Sequence, residues 1–473
     1  MTYSAGHLAG INTRSQRAAP SLQALAGGSL FFLAILLSVG AMTWTVGGMP
    51  VRAAPIVGGI LVLAAIDPRI ALNALHRQCG FLLLIAGVAL LAIVISLLNG
   101  IALPKLAREL VEIHVQSALF LVFTTMVASV CGGTTVVLLF VAAVGVSAAF
   151  AVAQFVGLEV AWSARDTIAD LTRELVRYDR SRPPGLANTP IALATHLTLA
   201  FAALLIWRQR LGEAAGAPRR FDPVAVGAIA AFSVACLASG NRSPILGAAL
   251  FLAIYSAVRA PKAFLLASPL VIMAIPLAGM AFEALQSTGL RAFTTGDKSS
   301  EGRETLIYYG LQLLRERPIG YGLGFDPTLY WGDHADFLLQ FPNPGPVTQF
   351  ELHNYVLTML NYYGIGILMF VPPVILMARR NATVLLAFLP YAIHIMFHNY
   401  GPLAKNDALV FTLFAIAMAP MALKPKAPAP AARPARNGPT SYLTAAYPRP
   451  PSAGPHSTST PKRERPQWSR RTP

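Results

Sequence analysis

Apolar runs of about 17–22 residues recur along the chain, a length that crosses the hydrocarbon core of a bilayer as a helix. Lipid offers the backbone no hydrogen-bond partner, so such runs must satisfy their own amides and carbonyls, which a helix does. About twelve spans are expected, near 26–46, 51–66, 80–98, 110–130, 134–155, 189–207, 223–239, 243–258, 263–282, 353–377, 383–397 and 407–423. Those at 51–66, 243–258 and 383–397 are the shortest. Only 12% of the 473 residues are charged, about half the share of a soluble protein. The expected fold class is an all-α polytopic membrane protein.

Orientation follows from Lys and Arg in the connections. Arg14 and Arg17 precede the first span, and Arg69, Arg77, Arg208, Arg210, Arg219, Arg220, Arg259, Lys262, Arg379, Arg380, Lys424 and Lys426 fall in alternate links. All share one side if the number of spans is even and both termini are cytoplasmic. Residues 1–25 then form a cytoplasmic tail, with the first span an uncleaved anchor. Residues 26–423 form the membrane domain, and 424–473 a disordered, basic, Pro-rich cytoplasmic tail. The opposite side, periplasmic in a bacterium, carries two long loops, 157–188 and 283–352. The net charge of +16 reflects this asymmetry and the tail. No soluble basic domain with interleaved aromatics is present, so no nucleic-acid partner is expected. Cys79, Cys131 and Cys236 lie in or beside apolar runs and form neither a disulfide framework nor a metal-spaced cluster.

Five constellations could carry chemistry. Glu351-Leu352-His353-Asn354 closes the second long loop and opens a span, with Asn354, Thr358 and Asn361 on one helical face. A polar stripe of that kind should face a bundle interior or wet cavity; the simpler reading is a histidine at a helix start beside a capping Asn. Gly240-Asn241-Arg242-Ser243-Pro244 is a tight turn bearing a guanidinium on the side where basic residues are unexpected. A guanidinium fork suits phosphate oxygens. Gly302-Arg303-Glu304 opens a helix over 303–315 with Leu306, Tyr309 and Leu313 on one face; Pro318-Ile319-Gly320-Tyr321-Gly322-Leu323-Gly324 follows and forces turns. Spacing does not separate Arg303 from Arg315 and Arg317, for which a solvated face suffices. Lys105, Arg108, Glu109, Glu112 and His114 lead into the fourth span, either as cations lining a lipid entrance or as an Arg108–Glu112 ion pair. His394 and His398 lie one turn apart; a metal would need a third ligand that their helix lacks, so cavity lining is expected of them.

These segments resemble the bacterial O-antigen ligase and O-antigen polymerase superfamily. RPPGLANTPIALA (182–194) is similar to the family's stretch before a span. GNRSPILGAALFL (240–252) is similar to its Ser-Arg-small turn. The region from Gly302 through RPIGYGLGFD to ELHNYVLTMLNYYGIG is similar to its large periplasmic loop and following span, in which nine residues separate His-Asn from a Gly, here Gly364. Asn188-Thr189-Pro190 and the tight Gly364-Ile365-Gly366 depart from the family pattern.

The resemblance implies a GT-C-like, metal-independent inner-membrane glycosyltransferase without a cofactor, its large loop between the ninth and tenth spans and its active site facing the periplasm. The donor is a glycan on a polyprenyl (undecaprenyl) diphosphate. The acceptor is a sugar hydroxyl on a lipid A core, or on a second lipid-linked glycan in a polymerase. His353 is the expected base. Arg242, Arg303, Arg108 and Lys105 are the expected cations for the donor diphosphate, with Asn354, Asn361, Glu351 and His398 lining or supporting the cavity. The competing class is a flippase or other transporter of lipid-linked oligosaccharide, which would need no structured loop ending in His-Asn. A glycosyltransferase with a protein Ser or Thr acceptor is a further alternative.

Overall fold

The computed structural model describes residues 21–40, 44–46, 49–172, 180–214, 223–259, 261–262, 264–265, 298–379, 386–398, 401–404 and 408–418. The first twenty residues, nearly all of the expected span at 263–282 and the tail from 424 lie outside them. The chain divides into units 1–423 and 424–473, and every described residue belongs to the first.

The described residues are overwhelmingly helical. In chain order the helices are α1 (Leu22–Gly40), α2 (Ala53–Ile66), α3 (Pro68–Leu98), α4 (Leu103–Cys131), α5 (Gly133–Phe155), α6 (Glu159–Thr172), α7 (Pro190–Ala214), α8 (Pro223–Ala238), α9 (Ser243–Arg259), α10 (Lys298–Glu316), α11 (Tyr355–Tyr363), α12 (Val371–Arg379), α13 (Leu389–Ile395) and α14 (Leu409–Met418). Short helical turns punctuate residues 327–348. A two-residue antiparallel ladder, Thr45–Val46 against Met49–Pro50, closes the link from α1 to α2. Among the described residues five helices are long and apolar enough to cross a membrane, six if the bent pair of α11 and Ile365–Ile375 counts as one span. The apolar helices α2, α8 and α9 are shorter.

The core sits around the second half of α4, which packs on α1, α2, α3, α5 and α14. Phe120, Leu121, Phe123, Met126 and Val127 there are buried. A Cβ on Gly59 of α2 would collide with the Phe123 ring, so the small residue sets how closely the helices approach. Polar side chains also join helices: Arg52 Nε donates to Gln116 Oε1 (3.0 Å), Gln78 Nε2 to Thr125 Oγ1 (2.9 Å) and Thr124 Oγ1 to Thr412 Oγ1 (3.3 Å). Leu61, Leu83, Leu90 and Leu98, by contrast, are 63–72% exposed. Inward polar and outward leucine is the distribution that lipid favours over water.

Three elements differ from the sequence expectation. The third helix begins at Pro68, not near residue 80: Asp67 caps it by accepting from Arg69 N (3.0 Å), and Pro68 takes the first turn, so helix extends through a polar stretch that hydropathy stops at. The loop 157–188 contains α6. The continuous span expected at 353–377 breaks after Tyr363, with α11 and the following helix bent by 108°.

The break has a specific cause. Gly364 stands at φ +63°, and a Cβ there would collide with the Ile319 backbone. The glycine run lies alongside, with Gly320, Gly322 and Gly324 also at positive φ. Its amides satisfy the carbonyls that α11 leaves unpaired: Tyr321 N donates to Asn361 O (2.7 Å) and Gly322 N to Tyr362 O (3.0 Å). Ile365 N donates back to Pro318 O (2.8 Å). Broken helix within a membrane domain is tolerated where other protein segments replace its lost bonds, and this loop does so.

Candidate functional site

The site is built on a docked segment ahead of α7. Gln154 at the end of α5 holds it like a clamp: its Oε1 accepts from Gly185 N (2.9 Å) and its Nε2 donates to Gly185 O (3.0 Å). Ser147 Oγ accepts from Leu186 N (3.0 Å). The segment then meets the turn between α8 and α9, where buried Asn241 donates through Nδ2 to Pro190 O (2.9 Å) and accepts from Arg182 at 3.4 Å. Gly240 at φ +69° lets the chain leave α8, and Asn241 N closes the turn on Cys236 O (3.0 Å). Arg242 follows, exposed, and Ser243 opens α9.

Ser243 leads into a row of imidazoles. Its Oγ lies 2.9 Å from His394 Nδ1, and Thr195 Oγ1 on α7 lies 3.1 Å from His394 Nε2. Thr195 commits its hydroxyl proton to Ile191 O (3.0 Å). Its oxygen can therefore only accept from His394 Nε2–H, which assigns the tautomer and leaves Nδ1 to accept from Ser243. His394 is fully buried and both its nitrogens are engaged. Its ring lies 4.5 Å, centroid to centroid, from His398, and His398 lies 6.3 Å from His353. Among the described residues no third His, Cys, Asp or Glu joins His394 and His398 in a group that could hold a metal.

His353, in the loop ahead of α11, stands at the open end of this row, tilted against Phe350. Burial lowers its pKa to about 4; the Arg303 guanidinium adds to the effect and Glu351 opposes it. His398, beyond the end of α13, is lowered well below the usual histidine range by burial, then by His394, Arg303, His353 and Arg182. Both rings are therefore neutral near pH 7, with the charge of Arg303 acting on both. Arg303 is half-buried on α10, where Leu306, Tyr309 and Leu313 are buried as their shared face requires, and Gly302 permits close approach to Pro346.

The other expected residues fall as follows. Asn354 is the N-cap of α11, its side chain accepting from Leu357 N (3.1 Å). Asn361 donates to Gly310 O (3.0 Å) and Leu357 O (2.9 Å), tying α11 to α10. Glu351 lines a small, half-open pocket with Phe325, Pro327, Leu352, Thr358 and Tyr362. Lys105 lies beside Gly324, and Arg108, 67% exposed, pairs with Glu112 at 3.1 Å. The contacts that join the imidazoles include neither Lys105 nor Arg108. Arg317 donates to Asn99 (2.8 Å) and lies over Tyr321, a structural placement. His334 is held between Tyr330 O (2.8 Å) and Glu316 (2.9 Å). The residues that sequence reasoning passed over are Arg182 and Thr195; Ser243 was named in the Gly240–Pro244 turn, without a role of its own. Arg182 had a signal, since it opens the segment that carried the resemblance before α7.

Residues 226–371 match the family model described as O-antigen ligase. The match takes in Asn241, Arg242, Ser243, Arg303 and His353. No curated protein matches the chain. The match makes residues 226–371, about a third of the chain, similar to the O-antigen ligase family and supports an O-antigen ligase or O-antigen polymerase superfamily assignment.

Proposed function

We propose that the chain transfers a glycan from a polyprenyl diphosphate to a sugar hydroxyl on the periplasmic side of the inner membrane, the acceptor being a lipid A core. The observation that carries this reading is a neutral imidazole, His353, under the charge of Arg303 at the mouth of a buried histidine row. A neutral imidazole accepts a proton from a sugar hydroxyl. The hydroxyl oxygen attacks the anomeric carbon, the bond to the diphosphate breaks with its electron pair, and guanidinium groups take up the charge on the leaving group. Arg242 and Arg303 are the proposed diphosphate ligands. Lys105 and Arg108 supply positive charge where the lipid-borne donor arrives. Arginine supplies the positive charge that a metal ion would otherwise provide, so the reading needs no metal and no cofactor.

Arg→Lys substitutions test it. Lysine keeps the charge and loses the planar fork. In Arg242→Lys and Arg303→Lys, transfer of glycan to lipid A core by purified protein should fall by about tenfold or more, while insertion is unchanged. Full transfer in both variants would remove the arginines from the diphosphate site. Elongation of the lipid-linked glycan with no product on lipid A core would select the polymerase, the reading that the tight Gly364-Ile365-Gly366 favours. Net movement of the donor across the bilayer without any new glycosidic bond would select the transporter.

The charge asymmetry of the connections carries the orientation. Reporter fusions at residue 330 and in the tail beyond 424 should give opposite compartment signals. Matching signals would remove the even-span arrangement and the periplasmic site with it.

A further inference from the structure

The three imidazoles are not equivalent. His394 is closed to proton chemistry, because Thr195 and Ser243 occupy both nitrogens and fix its tautomer. His398 rests on that fixed ring at 4.5 Å and is 3% exposed. His353 and His398 each keep a buried Nδ1 with no hydrogen-bond partner among the described residues. Their centroids are 6.3 Å apart. That separation is too wide for a direct ring–ring hydrogen bond; an oxygen at about 2.8 Å from a nitrogen of each ring would bridge it.

We propose that His398 is a second imidazole on the acceptor, donating a ring N–H to the same sugar hydroxyl whose proton His353 removes. The inference rests on the glycosyltransferase reading and adds an acceptor-binding residue to it. A hydroxyl oxygen carries one proton and two lone pairs. Its proton goes to His353, one lone pair accepts from His398, and the other is left aimed at the anomeric carbon. In the transfer step the O–H bond breaks, a C–O bond forms, and the bond from the anomeric carbon to the diphosphate breaks with its electrons on the leaving group. His398 neither gains nor loses a proton; it fixes which way the oxygen points.

The surroundings suit that role. Among the described residues, the charged and titratable groups that act on His398 are His394, Arg303, His353 and Arg182, with no carboxylate among them. Burial first, and then the Arg303 and Arg182 guanidinium groups, oppose a positive charge on the ring, so it stays a neutral donor. The His394 anchor, held from α7 and α9, prevents the ring from sliding inward when a substrate presses on it.

The test uses the full-length protein with polyprenyl-diphosphate-linked glycan as donor and lipid A core as acceptor. His398→Phe keeps a ring against His394 and removes the nitrogens. Acceptor KM should rise and kcat fall, together by about tenfold or more, the size of a lost hydrogen bond. Donor KM should stay unchanged. His398→Asn, which restores an N–H, should recover most of the loss. Wild-type acceptor kinetics in His398→Phe would overturn the proposal. So would equal losses toward donor and acceptor, the mark of a structural role, and so would failure of Asn to rescue. Absence of any transfer by the wild-type protein would overturn the glycosyltransferase reading itself, a result the wild-type control separates from all three.

Discussion

Replacing His353 by alanine should lower the rate of glycan transfer by about two to four orders of magnitude, the usual contribution of a general base. Donor binding should persist, because the arginines remain. The pH profile carries a second, sharper expectation. An isolated histidine loses its basic form near pH 6.5, but burial and Arg303 lower His353 to about 4. Transfer should therefore hold nearly level as pH drops from 7 to 5.5 and fall only on approach to 4. Stability runs in the same direction for a separate reason. The folded state holds the ring neutral while the unfolded chain takes up a proton below 6.5, so the contribution is complete above 6.5 and is lost as pH falls toward 4. Short assays with return to pH 7 separate reversible loss of activity from unfolding. A His353→Ala protein with near wild-type rate and an unchanged profile would exclude the role. Glu351 would then be the next base, since His334 is held by Glu316 and Tyr330.

The largest structural effect is expected at Gly364. Valine there meets two obstacles at once, the positive φ and the Ile319 backbone. The cost should reach about 3 kcal/mol or more, enough to deplete folded, detergent-extractable protein. Gly58 of α2 is the matched control, because a Cβ there meets nothing within 4 Å, and Gly58→Ala should leave thermal stability unchanged or slightly raised. Size-exclusion profiles of the two variants after heating compare them directly. Equal melting behaviour would mean that the bend does not depend on the glycine.

Much of this architecture can be read from residue order, and the gaps have physical reasons. Apolar runs mark helices wherever lipid or core covers the side chains. Hydropathy misplaced the start of α3, because a helix does not end where polarity begins; Asp67 and Pro68 mark the true start. The capping role of Asn354 was legible from its place before an apolar run, as was the buried face Leu306–Tyr309–Leu313. The bend at Gly364 was not, because the amides that stabilise it belong to Tyr321 and Gly322, some forty residues away. A glycine in an apolar run looks the same whether or not such a partner exists. Arg182 and Thr195 were passed over for the same reason: their partners, Asn241 and His394, lie 59 and 199 residues along the chain.

Those separations bear on how the protein is made. The Thr195–His394 and Ser243–His394 contacts join residues 199 and 151 positions apart, so a nascent chain emerging from the ribosome cannot complete the histidine row until α13 has been synthesised. Until then Thr195 and Ser243 face a groove that only one of the last helices can fill. Chains cut short before residue 389 should thus insert yet lack the row altogether. A separately expressed segment carrying α13 and α14 would be the piece to supply in trans, and late insertion of α13 would act as the step that turns an assembled bundle into a working centre.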